Sequence, residues 1–214
     1  MAIPLIQDYP VPTGVSLDRP PLPWQVAPER AALLIHDMQN YFVGRYASAG
    51  FVATLVRRID ALRQRCHALG VPVFYTAQPG DQPRAARGLL MDFWGPGMPQ
   101  AGDGRAIVAG LEPRDGHDEV LVKHRYSAFA RSDLQARLQR AGRDQLVICG
   151  VYAHIGCLVT ATDAFMADIE PFLVADALGD FSLAHHEMAL RHVAHCSGKV
   201  VSSAELLQRL ALAA

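Results

Sequence analysis

The sequence predicts a three-layer α/β/α domain built on a six-stranded, mainly parallel sheet. Three observations carry that prediction. Short apolar runs of strand length alternate with stretches whose apolar residues recur at helical spacing, the pattern of successive βαβ units. The strand-length runs are apolar almost throughout, as expected where helices cover both faces of a sheet. The chain has 214 residues, half of them hydrophobic, enough for one sizeable core, and it shows no internal repeat or second core.

The elements follow in order. Residues 1–29 form a proline-rich arm on the surface, and residues 30–214 form the α/β domain. Ala31 to Ile35 is a buried strand. Val52, Leu55, Val56, Ile59, Leu62, Cys66 and Leu69 recur at helical spacing, and Gly70 stops that helix. Val71 to Ala77 is the second strand. A long loop region, Gln78 to Asp118, is rich in Gly and Pro. Glu119 to Val122 is the third strand. Ser132 with Gln135 reads as a capping box opening a helix that ends near Gly142. Gln145 to Val151 is strand four, followed by a helix from about Gly156 to Asp168. Phe172 to Ala175 is strand five, and Ser182 caps a helix to about Cys196. Lys199 to Val201 is strand six, and Ser202 with Glu205 caps the last helix.

Composition excludes several classes of function. The net charge is −1 and 19% of residues are charged, without the basic face or stripe of a nucleic-acid binder. No apolar run approaches the ~20 residues that span a bilayer. The N-terminus lacks the basic start and apolar run of a signal peptide, so a soluble, cytoplasmic protein is expected. Cys66, Cys149, Cys157 and Cys196 form no CxxC pair and read as free thiols.

In parallel sheets, ligands bind outside the carboxyl ends of the strands. Strand one delivers His36 and Asp37 there, strand two delivers Thr76 to Gln78, and strand three delivers Lys123 to Tyr126. Strand four delivers Tyr152 to Gly156 at a helix start, and strand five delivers Asp176. An acid, a base and an amide beside a helix N-terminus suit a small, polar, anionic substrate. Dinucleotide, P-loop and GxSxG motifs are missing, and HEMAL at His186 to Leu190 does not complete HExxH. His192 and His195 are a helical pair without partner ligands and read as solvated. No metal or cofactor is expected.

Six stretches together resemble the isochorismatase branch of the isochorismatase-like hydrolases, whose fold is Rossmann-like. They are RAALLIHDMQNYF at Arg30 to Phe42, YTAQP at Tyr75 to Pro79, DFWGPG at Asp92 to Gly97 and RYSAF at Arg125 to Phe129. GVYAHIGC at Gly150 to Cys157, and VADA at Val174 to Ala177 with DFS at Asp180 to Ser182, complete the set. The wider family uses an Asp, a Lys and a Cys. The resemblance places the Asp at Asp37 and the Lys at Lys123, and the nucleophile position falls on Gly156. Amidases of the family need the thiol for a covalent intermediate. An enol ether can be cleaved without it, and Cys157 then reads as a packing residue.

What the resemblance implies is acid catalysis on isochorismate. Asp37 protonates the methylene carbon of the enolpyruvyl group, water adds to the oxocarbenium ion, and the hemiketal collapses to pyruvate and the ring diol. Phe42, Gln78, Arg87, Trp94, Tyr126, Tyr152 and the Gly156 backbone are implied to line the substrate pocket, with Arg87 and the Gly156 amide suited to carboxylates. His36 and His154 read as structural hydrogen-bonders. A non-proline cis peptide is implied at Val151–Tyr152. His124 departs from relatives that carry tryptophan between the Lys and the Arg. A tension accompanies the scheme, because Asp37 must be protonated while Lys123 favours its charged form.

The enzymatic rival is hydrolysis of 2-amino-2-deoxyisochorismate in phenazine biosynthesis. AHIGC at Ala153 to Cys157 and ATDAF at Ala161 to Phe165 look more like the branch that makes 2,3-dihydroxybenzoate for siderophores. A rival of another class is a domain of a carrier and docking protein, since siderophore isochorismatases are often fused to an aryl carrier domain. The chain ends at Ala214, just after the last expected helix, and siderophore synthetases would be partners if such a domain were attached. A metal-dependent amidase or nicotinamidase is disfavoured by the missing nucleophile and the lack of a ligand cluster. Relatives are commonly dimers, so a homodimer is expected.

Overall fold

A computed structural model of the protein describes residues 3–18 and 20–212. In chain order the elements are β1 (Ala31–His36), α1 (Asn40–Val43), α2 (Ala49–Ala68), β2 (Val73–Ala77), α3 (Arg84–Arg87), α4 (Leu90–Trp94), β3 (Asp118–Val122) and α5 (Leu134–Arg140). Then come β4 (Gln145–Val151), a π-helical turn (Ala153–Cys157), α6 (Leu158–Met166), β5 (Glu170–Gly179), α7 (Leu183–Cys196), β6 (Lys199–Val201) and α8 (Ser203–Ala211).

The six strands pair in the order β3-β2-β1-β4-β5-β6, and every pairing is parallel. The chain builds outward from β1 in one direction, then returns to β4 and builds outward in the other. The crevice where the direction changes lies between the carboxyl ends of β1 and β4, the place where such sheets bind ligands.

Alternation along the strands sets the layers. Leu33, Ile35, Val73, Tyr75, Val147, Cys149, Phe172 and Val174 pack in one core with Leu55, Ile59 and Leu62 of α2 and Leu206 and Leu210 of α8. Leu34, Phe74, Leu146, Ile148 and Leu173 face the other way, against Leu134 and Leu138 of α5, Ala161 and Ala164 of α6, and Leu190 and Val193 of α7. Because successive side chains point to opposite faces, an apolar residue at every position is what two buried faces require.

Several boundaries differ from the sequence expectation. Strand two begins at Val73, because Val71 N–H donates to Cys66 O and closes the end of α2. Within the long loop region the chain forms α3 and α4. The capping box at Ser132 does not form. The Ser132 hydroxyl donates to the Ala128 carbonyl, and α5 starts at Leu134. The helix expected from Gly156 starts at Leu158, after the π-helical turn. Strand five is ten residues long, because a register shift against β4 between Ile148 and Gly150 lets pairing resume at Leu178 and Gly179. Ser182 and Ser202 do cap α7 and α8, accepting from the N–H groups of His185 and Glu205.

The start of the chain is tied to the domain. Ile6 pairs with Tyr46 and is fully buried, and the Tyr9 hydroxyl accepts from Asp180 N–H at 2.7 Å. Among the described residues, no helix is long and apolar enough to cross a membrane.

Candidate active site

β1 ends at His36, and Asp37 follows with φ of 50°, a left-handed conformation that turns the chain sharply off the strand end. The residue is 96% buried and its carboxylate is surrounded by donors. The Thr76 hydroxyl donates to Oδ1 at 2.6 Å, Gln78 Nε2 donates to Oδ2 at 3.1 Å, and Lys123 Nζ lies 2.7 Å from Oδ2. Asp37 N–H in turn donates to Thr76 Oγ1 at 3.0 Å. Three strand ends, β1, β2 and β3, thus converge on one carboxylate.

Lys123 follows the last residue of β3 and is itself buried. Its ammonium also donates to the carbonyls of Arg125 at 2.9 Å and Tyr126 at 3.2 Å. With Asp37 these give three acceptors for its three protons, so the charge is buried but fully bonded. Burial alone disfavours the Asp37 carboxylate. The Lys123 charge, with the hydrogen bonds from Lys123 and Thr76, outweighs it and holds Asp37 below the ordinary carboxylate range.

The pocket wall comes from the long loop region and from the segment after β4. Gln39 organises the first. Its Nε2 donates to the carbonyls of Gln78 and Arg105 at 3.0 and 2.9 Å, and its Oε1 accepts from Gln78 N–H at 2.8 Å. Arg87 donates to Gln78 Oε1 at 2.9 Å and to the Gly95 carbonyl at 3.0 Å, and is almost wholly buried. Trp94 Nε1–H donates to the Tyr126 hydroxyl at 2.8 Å. On the other side, the Val151–Tyr152 peptide is cis, as the resemblance implies. The Tyr152 hydroxyl donates to Phe42 O at 2.7 Å. Phe42 and Phe181 both meet the Tyr152 ring edge-on.

The structure therefore brings Asp37, Lys123, Phe42, Gln78, Arg87, Trp94, Tyr126, Tyr152 and Gly156 around one pocket. Two positive groups and one carboxylate leave that pocket positive. Asp176 is not among them. Its carboxylate instead accepts from Ser203 N–H and Oγ–H, both at 2.6 Å, and lies 3.5 Å from Arg58 Nε, away from the crevice. Because β5 runs on to Gly179, the acid at its end is Asp180. That carboxylate holds His154, through Nδ1 at 2.5 Å and the backbone N–H at 2.7 Å. Thr76, placed at the strand-two end by the sequence, has its role here as the clamp on Asp37, and Phe181 is a pocket residue that the sequence reading does not single out. Thr76 stands two positions before Gln78 on β2, and that adjacency was the available signal. Phe181 comes next to its site only because of the extra length of β5. Cys157 is fully buried in the core, where burial pushes its thiol well above the ordinary range. No group of three or more metal-ligating side chains occurs among the described residues.

The family model "Isochorismatase domain" matches residues 31–205. The chain belongs to the isochorismatase family. It is 50% identical over 208 residues to enterobactin synthase component B of Escherichia coli K12, covering 97% of this chain and 73% of that protein. It is 50% identical over 211 residues to the isochorismatase of Bacillus subtilis strain 168, covering 98% and 67%. It is also 50% identical over 207 residues to a phenazine biosynthesis protein of Pseudomonas aeruginosa, covering 96% and 99%. The all-parallel sheet, the pocket and these relatives together make the chain an isochorismatase-family hydrolase.

Proposed function

We propose that the protein is an isochorismatase, hydrolysing the enol ether of isochorismate to 2,3-dihydro-2,3-dihydroxybenzoate and pyruvate for catecholate siderophores. One observation carries this reading. The buried Asp37–Lys123 pair faces a pocket in which residue 156 is glycine, so a proton donor and charged anchors are present without a nucleophile. In this scheme the substrate carboxylates engage Lys123, Arg87 and the Gly156 amide. Drawing Lys123 away from Asp37 and excluding water raises the Asp37 pKa, so the acid form becomes available in the complex. Asp37 protonates the methylene carbon, water adds to the oxocarbenium ion, and the hemiketal releases pyruvate. Phe42, Trp94, Tyr126 and Tyr152 wall the ring, and Gln78 orients Asp37.

The 50% identity to a phenazine biosynthesis protein, over nearly all of its length, supports a second reading in which 2-amino-2-deoxyisochorismate is the substrate. Purified protein is mixed with each substrate in turn and pyruvate is followed, beside Asp37→Asn. The expected result is faster release from isochorismate, lowered by roughly 10²–10⁴-fold in the variant. Faster release from the amino analogue establishes the second reading, and none from either removes both. Turnover that climbs steadily from acid to alkaline pH contradicts an essential acid form of Asp37.

A further inference from the structure

His36 is fully buried and enclosed by two glycines. Gly150 presses on its backbone: a Cβ there would lie 2.2 Å from His36 O, and φ at Gly150 is +108°. Gly156 presses on its ring: a Cβ there would lie 2.1 Å from Cε1, 2.8 Å from Nε2 and 3.0 Å from Nδ1. No real Cβ tolerates such distances, so the imidazole occupies the volume that any side chain at position 156 would need. The ring is not free to swing aside. Nδ1–H donates to the Val151 carbonyl at 2.8 Å, and the side chain is fully buried at the end of β1.

The ring is also neutral. Burial pushes its pKa down to about 4, and Lys123 adds to that against the opposing pull of Asp37. With Nδ1 as donor, Nε2 is an acceptor; it meets no donor among the described residues, and the Tyr126 backbone oxygen that acts on the ring is itself an acceptor. A buried nitrogen left unbonded is costly. An aliphatic side chain would avoid that cost, so hydrogen bonding alone does not explain this residue here.

We propose that His36 is a specificity-determining residue: its ring stands in the place of a nucleophile at position 156 and closes the covalent acyl-transfer route, leaving Asp37 as the reacting group. The inference deepens the enol-ether reading and rests on it for its meaning. The steric pairing of His36 with Gly156 is tested without that substrate.

The test uses Gly156→Ala, Gly156→Cys, His36→Val and both double variants. All carry Cys196→Ser, since Cys196 is the exposed one of the four thiols. Thermal midpoints are measured first. Either substitution at 156, with His36 in place, is expected to lower Tm by roughly 10 °C or to abolish soluble protein, and His36→Val is expected to restore at least half of the loss. Iodoacetamide labelling is measured next, with the modified residue located by peptide mass. In His36→Val/Gly156→Cys the introduced sulphur should displace iodide and become alkylated at the pocket, a result that a purely structural histidine does not require. Full stability of Gly156→Ala with His36 present overturns the proposal. So does a double variant no more stable or soluble than its single parent, or one that folds yet leaves its new thiol unlabelled. Absence of pyruvate release from the parent protein would remove the enol-ether reading and leave this pairing standing.

Discussion

Asp37 shows how much of the site is decided by single bonds. Its carboxylate accepts from Thr76 and Gln78 and is paired with Lys123, and its own N–H returns to Thr76. Thr76 is therefore both donor and acceptor to one residue, clamping its backbone and its side chain together. Thr76→Val keeps the shape and removes both bonds. A buried N–H and a carboxylate oxygen each lose a partner, a cost of about 2–3 kcal/mol. Tm is expected to fall by roughly 5–10 °C for a chain of this size. Pyruvate release from isochorismate should drop about 10–100-fold at temperatures where the variant is folded, because the carboxylate is less well aimed. Unchanged turnover with a lowered Tm would make Thr76 a packing residue only.

At the level of elements, local signals were legible and non-local ones were not. Ser182 and Ser202 cap helices as their spacing suggests, because a cap needs only its own first turn. Ser132 has the same spacing and fails, because the Ala128 carbonyl, on the turn before it, takes the hydroxyl. Strand five was legible only at its apolar centre. Its continuation through Asp176 to Gly179 depends on a slip of register against β4, which no residue of β5 announces. That slip is why Asp176 was expected in the crevice and is found at the start of α8. Its two bonds to Ser203 place a carboxylate at the N-terminus of that helix, a favourable position for negative charge. Asp176→Ala leaves the buried Ser203 N–H unpaired and is expected to cost about 2–4 kcal/mol, lowering Tm by roughly 5–15 °C. Turnover by the folded fraction should stay near that of the parent. A collapse of turnover at unchanged Tm would return Asp176 to the active site.

Over the whole molecule, the change of direction between β1 and β4 decides where chemistry happens; a parallel sheet with a crevice at its strand ends is legible in the sequence, whereas the strand order that places the switch is not. Apolar runs at six places, with helical spacing between them, leave few alternatives to a parallel sheet, and the strand ends then name the crevice. The two buried histidines were harder to read, since a histidine in an apolar run looks like any other polar interruption. Their burial has a consequence for the molecule as a whole. His36 is held down to about 4, and His186, which donates from Nε2 to the Ala175 carbonyl, is also lowered, in both cases chiefly by burial. Each ring is neutral when folded and titrates near 6.5 when unfolded, so the unfolded chain binds more protons as the medium becomes acidic. Stability from these rings is fully present above about pH 6.5 and is lost as pH falls towards 4. His36 alone accounts for about 3 kcal/mol across that window, at 1.36 kcal/mol for each unit. Asp37, whose folded pKa is also depressed, adds a further loss only below the ordinary carboxylate range. Urea unfolding at a series of pH values should therefore show stability declining by at least about 2 kcal/mol between pH 6.5 and 4.5. His186→Gln, which keeps a donor for Ala175, should flatten part of that decline. A level profile would mean that both rings take up protons in the folded state, and an unchanged slope in the variant would assign the decline to His36.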